Sequence, residues 1–206
     1  MTSVAGPAVG ATIGAVGWTF SEYAFHRWFH VARDGNFARR THLAHHARQE
    51  YLVNSVSVLT WGAMLFVGLA VLPLLLWSAV PGAVALAFGV AWVAAYFVYE
   101  WIHAADHLRP PRNAYGRWTR RSHFHHHYEA PLRNFGVTTP IWDLVFGTYD
   151  PVSQVAVPRR LAPVWLIDDL GGLKGEFADS YFVRGRPIPA RAVVAAQDLS
   201  DGTAAP

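Results

Sequence analysis

Cysteine is absent from all 206 residues. Disulfides, thiolate metal ligands, cysteine nucleophiles and cysteine-held iron–sulfur clusters are therefore excluded. Lysine is nearly absent, since Lys174 is the only one among 17 Lys and Arg residues. Charged residues amount to 15% and hydrophobic residues to 52%, against roughly 25% charged in soluble domains. The deficit is uneven: Asp, Glu, Lys and Arg are missing from Tyr51 to Tyr99, and again from Met1 to Ser21. The net charge of +3 is small. No Lys/Arg run of the nucleic-acid-binding kind occurs, so no nucleic-acid partner is expected.

The longer uncharged block exceeds one helix. A bilayer core of about 30 Å needs about 20 apolar residues at 1.5 Å each. Residues 56–80 and 83–102 each satisfy this, separated by the turn dipeptide Pro81-Gly82. They predict a helical hairpin, kinked in its first arm by Pro73. Residues 4–25 are rich in Ala and Gly, with Gly6, Gly10 and Gly14 at a four-residue spacing that lets helices approach closely in lipid. They read as a third span, with a re-entrant or interfacial segment as the alternative. A signal peptide is disfavoured because the basic leading region is missing.

Arginine sets the orientation. Arg27, Arg33, Arg39, Arg40 and Arg48 precede the hairpin, and Arg109, Arg112, Arg117, Arg120 and Arg121 follow it. The positive-inside rule places both stretches in the cytoplasm, with the N-terminus outside. The expected fold is all-α: a multi-pass integral membrane bundle of about three spans under a cytoplasmic, histidine-rich helical cap. Residues 1–186 form one membrane-embedded domain, and 187–206, rich in Ala, Pro and Asp, form a tail. The Arg/Ala/Gly bias associates the chain with a bacterial plasma membrane.

All eleven histidines lie in the two arginine-bearing stretches. His26 and His30 stand four apart; His42, His45 and His46 form HLAHH; His103 and His107 stand four apart; His123, His126 and His127 form a second H-x-x-H-H. On a helix, positions i, i+3 and i+4 share one face, so each group can aim two or three imidazoles at one point. The hairpin begins and ends on one side, which returns the later groups to the earlier ones. Ten packed imidazoles without a metal would leave buried nitrogens unpartnered and would repel one another on protonation.

Imidazole suits zinc, copper, iron or nickel, whereas magnesium and calcium want oxygen. Structural zinc takes four ligands. Ten histidines can instead serve two ions with about five each, leaving a six-coordinate ion one open position. Ligand count alone does not exclude zinc.

The pair, triplet, pair, triplet order, spread from Glu22 to Tyr149, resembles the fatty acid hydroxylase/sterol desaturase superfamily of integral membrane di-iron enzymes. The likeness continues in SHFHHHY and in NFGVTTPIWDLVFGTY, Asn134 to Tyr149, which looks like the fatty acid hydroxylase branch. The resemblance implies that His26, His30, His42, His45, His46, His103, His107, His123, His126 and His127 ligate two iron ions, with His125 in a variable slot. It also implies O₂ as oxidant and hydroxylation or desaturation of a lipid hydrocarbon chain: fatty acyl, sterol-like or carotenoid. Electrons would come from a separate ferredoxin or cytochrome-type donor, since the chain has no cysteines for a cluster and no Gly-rich dinucleotide fingerprint. Zinc can replace iron in isolated protein.

Metal-bound histidines usually donate their other N–H to a carboxylate or carbonyl. Glu22, Glu100, Asp106 and Asn134 are candidates for that support. Solvated interfacial charge is the alternative for the acids, and a cap or turn for Asn134 and Asp143. Trp28, Trp77 and Trp101 fall where an aromatic belt would. Rival readings are a carotenoid hydroxylase on the same metals and a histidine-rich zinc-binding membrane protein. A zinc transporter would place ligands near mid-membrane, where this chain has none.

Overall fold

Asn54 opens the first arm of the hairpin by capping it: its Oδ1 accepts from the amides of Val56 (2.9 Å) and Ser57 (3.1 Å), satisfying donors that a helix start leaves free. The computed structural model describes residues 4–48 and 53–185; the expected tail, 187–206, lies outside the described residues. The helices are α1 (Ala5–Val31), α2 (Phe37–Arg48), α3 (Ser55–Phe66), α4 (Leu72–Leu76), α5 (Gly82–Leu108), α6 (Ala114–Tyr128) and α7 (Ile141–Val145).

The irregularity expected at Pro73 is a π-helical turn, Val67–Val71, between α3 and α4. Proline donates no N–H and crowds the carbonyl one turn back, and a wider turn absorbs both. The first arm ends at Leu76 rather than 80, because Trp77 to Val80 form the turn before Pro81. The second arm continues to Leu108 rather than 102, so His103 and His107 ride on an unbroken helix.

Ser55–Leu76 (22 residues, mean hydropathy 2.2) and Gly82–Leu108 (27 residues, 1.8) have the length and apolarity to cross a membrane. Only 11% and 28% of their most apolar stretches are buried within the protein. A core helix of a soluble domain would hide that surface, and an apolar surface of this extent fits the interior of a bilayer. Trp28, Trp77 and Trp101 are exposed, as belt residues would be. Of the expected three spans, these two meet the criterion; α1 equals α5 in length but is less apolar.

Helix α1 lies along α5 in parallel: Gly10 faces Val84, Gly14 faces Phe88, and Trp18 meets Trp92 and Tyr96. A Cβ at Gly14 would overlap the Phe88 carbonyl oxygen, so close approach requires glycine there. Parallel packing carries the C-terminal ends of both helices, and the histidines on them, to the same end of the molecule.

The all-α expectation needs one correction. Val155–Pro158 (β1) and Tyr181–Arg184 (β2) pair in parallel, with Val155 opposite Tyr181. Each strand has four residues and the partners are far apart in sequence, so neither shows a readable alternation. Val155, Val157, Trp165, Leu166, Phe177 and Tyr181 pack with Phe124 of α6 into a second core. This layer packs on the Phe124 face of α6.

Candidate metal centre

The four histidine groups come together as two sets of five. His26 and His30 from α1, His42 and His46 from α2, and His126 from α6 form the first. His45 from α2, His103 and His107 from α5, and His123 and His127 from α6 form the second. In each set, one nitrogen per ring lies within 4.8 Å of all the others. The helical phase explains the division. Residues i and i+4 differ by about 40° around the axis, whereas i+3 lies about 60° to the other side of i. Each triplet therefore gives its i, i+4 pair to one set and its middle histidine to the other. The sets touch where His46 stacks on His127, with ring centroids 3.9 Å apart.

Within the sets, Nε2 atoms approach one another at 2.8 Å (His30–His42), 3.0 Å (His42–His46), 3.1 Å (His45–His103) and 2.9 Å (His107–His123). Metal–imidazole bonds of about 2.1 Å would put adjacent corners of an octahedron ~3.0 Å apart, so the spacing fits ligands around an ion. Burial first, then the neighbouring imidazoles, lowers His46 to about 2 and pushes His42, His123 and His127 well below the ordinary histidine value. His126 is lowered for the same reasons, against a raising hydrogen bond to Arg133. Neutral rings expose the lone pair that a metal needs.

Two rings show their tautomer. His26 Nδ1 donates to the Phe135 carbonyl at 2.6 Å, and His126 Nδ1 donates to the Arg133 carbonyl at 2.7 Å. A carbonyl only accepts, so Nδ1 carries the proton and Nε2 the lone pair. Both Nε2 atoms are buried without a hydrogen-bond partner among the described residues. A buried acceptor left bare is costly, and a cation resolves it.

The expected supports are placed differently from the sequence reading. Glu22 does not reach a histidine: Oε1 accepts from the amides of Val137 (2.6 Å) and Thr138 (2.8 Å), and Oε2 from Thr138 Oγ1 (2.7 Å). Asp106 accepts from Thr119 Oγ1 at 2.8 Å and pairs with Arg120 at 3.2 Å. Asn134 exchanges two hydrogen bonds with the Asp150 backbone, each bond within 2.8 Å. Glu100 accepts from Trp61 Nε1 at 3.3 Å. Asp143, read as a cap or turn residue, accepts from the amides of Phe135 (2.9 Å) and Gly136 (2.7 Å). Backbone carbonyls took the place foreseen for carboxylates at His26 and His126. Side-chain identity carries no signal of a carbonyl; the available hint was Asn134, a residue type that tolerates its positive φ of 53°. His125 faces away from both sets, between Glu129 Oε2 and Asp150 Oδ2 at 2.9 Å each.

The fatty acid hydroxylase family model matches residues 11–148, which include all ten grouped histidines. The chain is 29% identical over 158 residues to a dihydroceramide fatty acyl 2-hydroxylase of Arabidopsis thaliana, covering 73% of this chain and 65% of that protein. It is 33% identical over 144 residues to the ceramide very long chain fatty acid hydroxylase SCS7 of Saccharomyces cerevisiae, covering 66% of this chain and 37% of the yeast one. The chain thus spans less than two thirds of either relative. Among solved structures, full-length scs7p, of which only the hydroxylase domain is visible, superposes with a TM-score of 0.58 at 27% identity. That match covers 73% of this chain and 58% of the other. Motif, histidine geometry and likeness converge: the chain belongs to the fatty acid hydroxylase family.

Proposed function

We propose that this chain is a membrane monooxygenase that hydroxylates the fatty acyl chain of a lipid with O₂, through two iron ions held by the two histidine sets. The observation that carries this reading is the partition of ten histidines, six of them buried and four half-buried, into two sets of five. Five imidazoles exceed the four ligands of a structural zinc site. The acyl substrate follows the relatives, which are named for ceramide and fatty acyl chains; no observation favours a carotenoid. The balance is R–H + O₂ + 2 e⁻ + 2 H⁺ giving R–OH + H₂O, with the electrons drawn from a separate ferredoxin or cytochrome-type donor.

When bound, iron supplies the activation of O₂ that neutral side chains lack. The protein's part is to hold and to exclude. His26, His30, His42, His46 and His126 hold one ion; His45, His103, His107, His123 and His127 hold the other. The layer built on Phe124, Trp165 and Tyr181 keeps water off α6, and Trp165 Nε1 ties it to the His107 carbonyl at 3.1 Å. On the membrane side, Tyr99 stacks on His103 with centroids 5.6 Å apart, and Trp18, Trp92 and Tyr96 continue inward between α1 and α5. An acyl tail approaching from lipid meets this aromatic wall before the metals. The topology we propose has three spans, an outer N-terminus and a cytoplasmic site. The parallel seam of α1 and α5 supports it, since it sets α1 beside a span over most of its length.

Anaerobic loading with ferrous iron, then O₂, a reductant and mass spectrometry of the membrane lipids, tests the reading. The expected result is two ions per chain and acyl chains heavier by one oxygen. Fully loaded protein that leaves the lipids unchanged would refute it.

A further inference from the structure

Residues 133–138 lie between α6 and α7 and hydrogen-bond to α1, and every amide from Asn134 to Thr138 is held. Asn134 N–H donates to the Thr148 carbonyl at 3.0 Å. Asp143 takes the next two amides and Glu22 the two after those. Both carboxylates are buried. Gly136 suits this grip, because a Cβ there would overlap the Thr139 carbonyl oxygen and crowd Asp143 Oδ2.

The peptide bonds give the grip a direction. Gly136 N–H and the Phe135 carbonyl belong to one peptide group. Asp143 Oδ2 accepts from that N–H at 2.7 Å, while the carbonyl accepts from His26 Nδ1 at 2.6 Å. A hydrogen bond to the N–H polarises the peptide and makes its carbonyl the stronger acceptor. The chain Asp143–peptide–His26 is therefore a carboxylate–histidine pair with one peptide inserted. The peptide two positions earlier has a similar arrangement, with a carbonyl in place of the carboxylate: Thr148 carbonyl, Asn134 N–H, Arg133 carbonyl, His126 Nδ1. His26 and His126 belong to the same set.

We infer that Asp143 and Glu22 are positioning residues for the first metal position and not the second: Asp143 acts through the Phe135–Gly136 peptide on the orientation and basicity of His26, and Glu22 fastens the same loop, whose carbonyls orient His26 and His126. The inference rests on the proposal that each set holds one ion. It makes the two positions unequal: the first leans on a loop that two buried carboxylates fasten, so its affinity depends on residues that touch no metal. Thr148 links the elements further, donating from Oγ1 to Asp143 Oδ1 at 2.7 Å and lying 3.2 Å from the hydroxyl of Tyr23 on α1.

Cobalt(II) titration of the full chain in detergent, followed by its visible absorption, tests this in two backgrounds. His123→Ala leaves only the first position complete, and His30→Ala only the second. Adding Asp143→Asn should weaken cobalt binding in the His123→Ala background by about tenfold or more, the usual effect of losing an outer partner of a metal-bound histidine. In the His30→Ala background it should change binding by less than about twofold. A purely structural role would lower thermal stability in both backgrounds without separating the two affinities. Equal weakening in both, or in neither, would overturn the inference. If Asp143→Asn fails to fold, Glu22→Gln carries the same expectation. The unsubstituted chain separates the two levels of failure: if it binds fewer than two cobalt ions, the two-position reading falls and the inference with it.

Discussion

Gly14→Ala should destabilise the protein although alanine is the better helix former. The added methyl would meet the carbonyl oxygen, carbonyl carbon and Cα of Phe88. All three are backbone atoms of α5, so no side chain can swing aside. Relief requires α1 and α5 to part by about 1 Å. A gap of that size forfeits a quarter to a half of each dispersion contact along the seam, where Trp18, Trp92, Val93 and Tyr96 are buried together. Overpacking against a rigid wall costs about 3 kcal/mol at the upper end of its range, and helix propensity offsets about 1 kcal/mol. The net loss of about 2 kcal/mol corresponds to a Tm lower by about 4–8 °C in a chain of this size. Gly62→Ala is the internal control. Nothing lies within 4 Å of a Cβ at Gly62 on the exposed face of α3, so the same substitution should be neutral or stabilise by up to about 1 kcal/mol. Thermal unfolding in detergent, followed by tryptophan fluorescence, measures both. The functional consequence is also checkable: His26 lies twelve residues beyond Gly14, about 18 Å along α1, and parting the helices there should lower metal retention. A Gly14→Ala protein as stable as the parent would refute the close parallel seam.

Three further outcomes are expected. In chelator-treated protein, burial holds His123, His126 and His127 below their ordinary value of 6.5, so the folded state binds fewer protons than the unfolded one. Their contribution is full above about pH 6.5 and falls as pH drops, by about 1.4 kcal/mol per pH unit for each; a flat stability profile from pH 7.5 to 5.5 would contradict neutral buried rings. His125→Ala should keep the full metal complement, because its nitrogens face Glu129 and Asp150, whereas His127→Ala should lose metal; equal loss in elemental analysis would refute the division of ten and one. Asp34→Cys and Arg112→Cys should react with an impermeant thiol reagent from one side of the membrane and Ser78→Cys from the other; labelling of the first two from opposite sides would separate the histidine groups and end the shared-site reading.

Local sequence determined those features whose physics is local. A charge-free run long enough for two spans shows in composition, because each residue meets lipid on its own account. The i, i+3, i+4 spacing shows which histidines share a helix face, because helical phase depends only on position in the chain. The ten-histidine grouping and the bystander position of His125 were legible for that reason. Tertiary structure decided how the groups combine. Which set takes His45 and which takes His126 depends on how α2 and α6 lie against α1 and α5, and no local pattern encodes it. Glu22 drew notice from its place four residues before His26, yet its partners, Val137 and Thr138, lie more than a hundred residues away. The supports of His26 and His126 are backbone carbonyls, which every residue has, so only the folded loop could single out those of Arg133 and Phe135. The pairing of β1 with β2 was hidden for a related reason: four-residue strands owe their stability to a partner and a packed face, and both are supplied by distant parts of the chain.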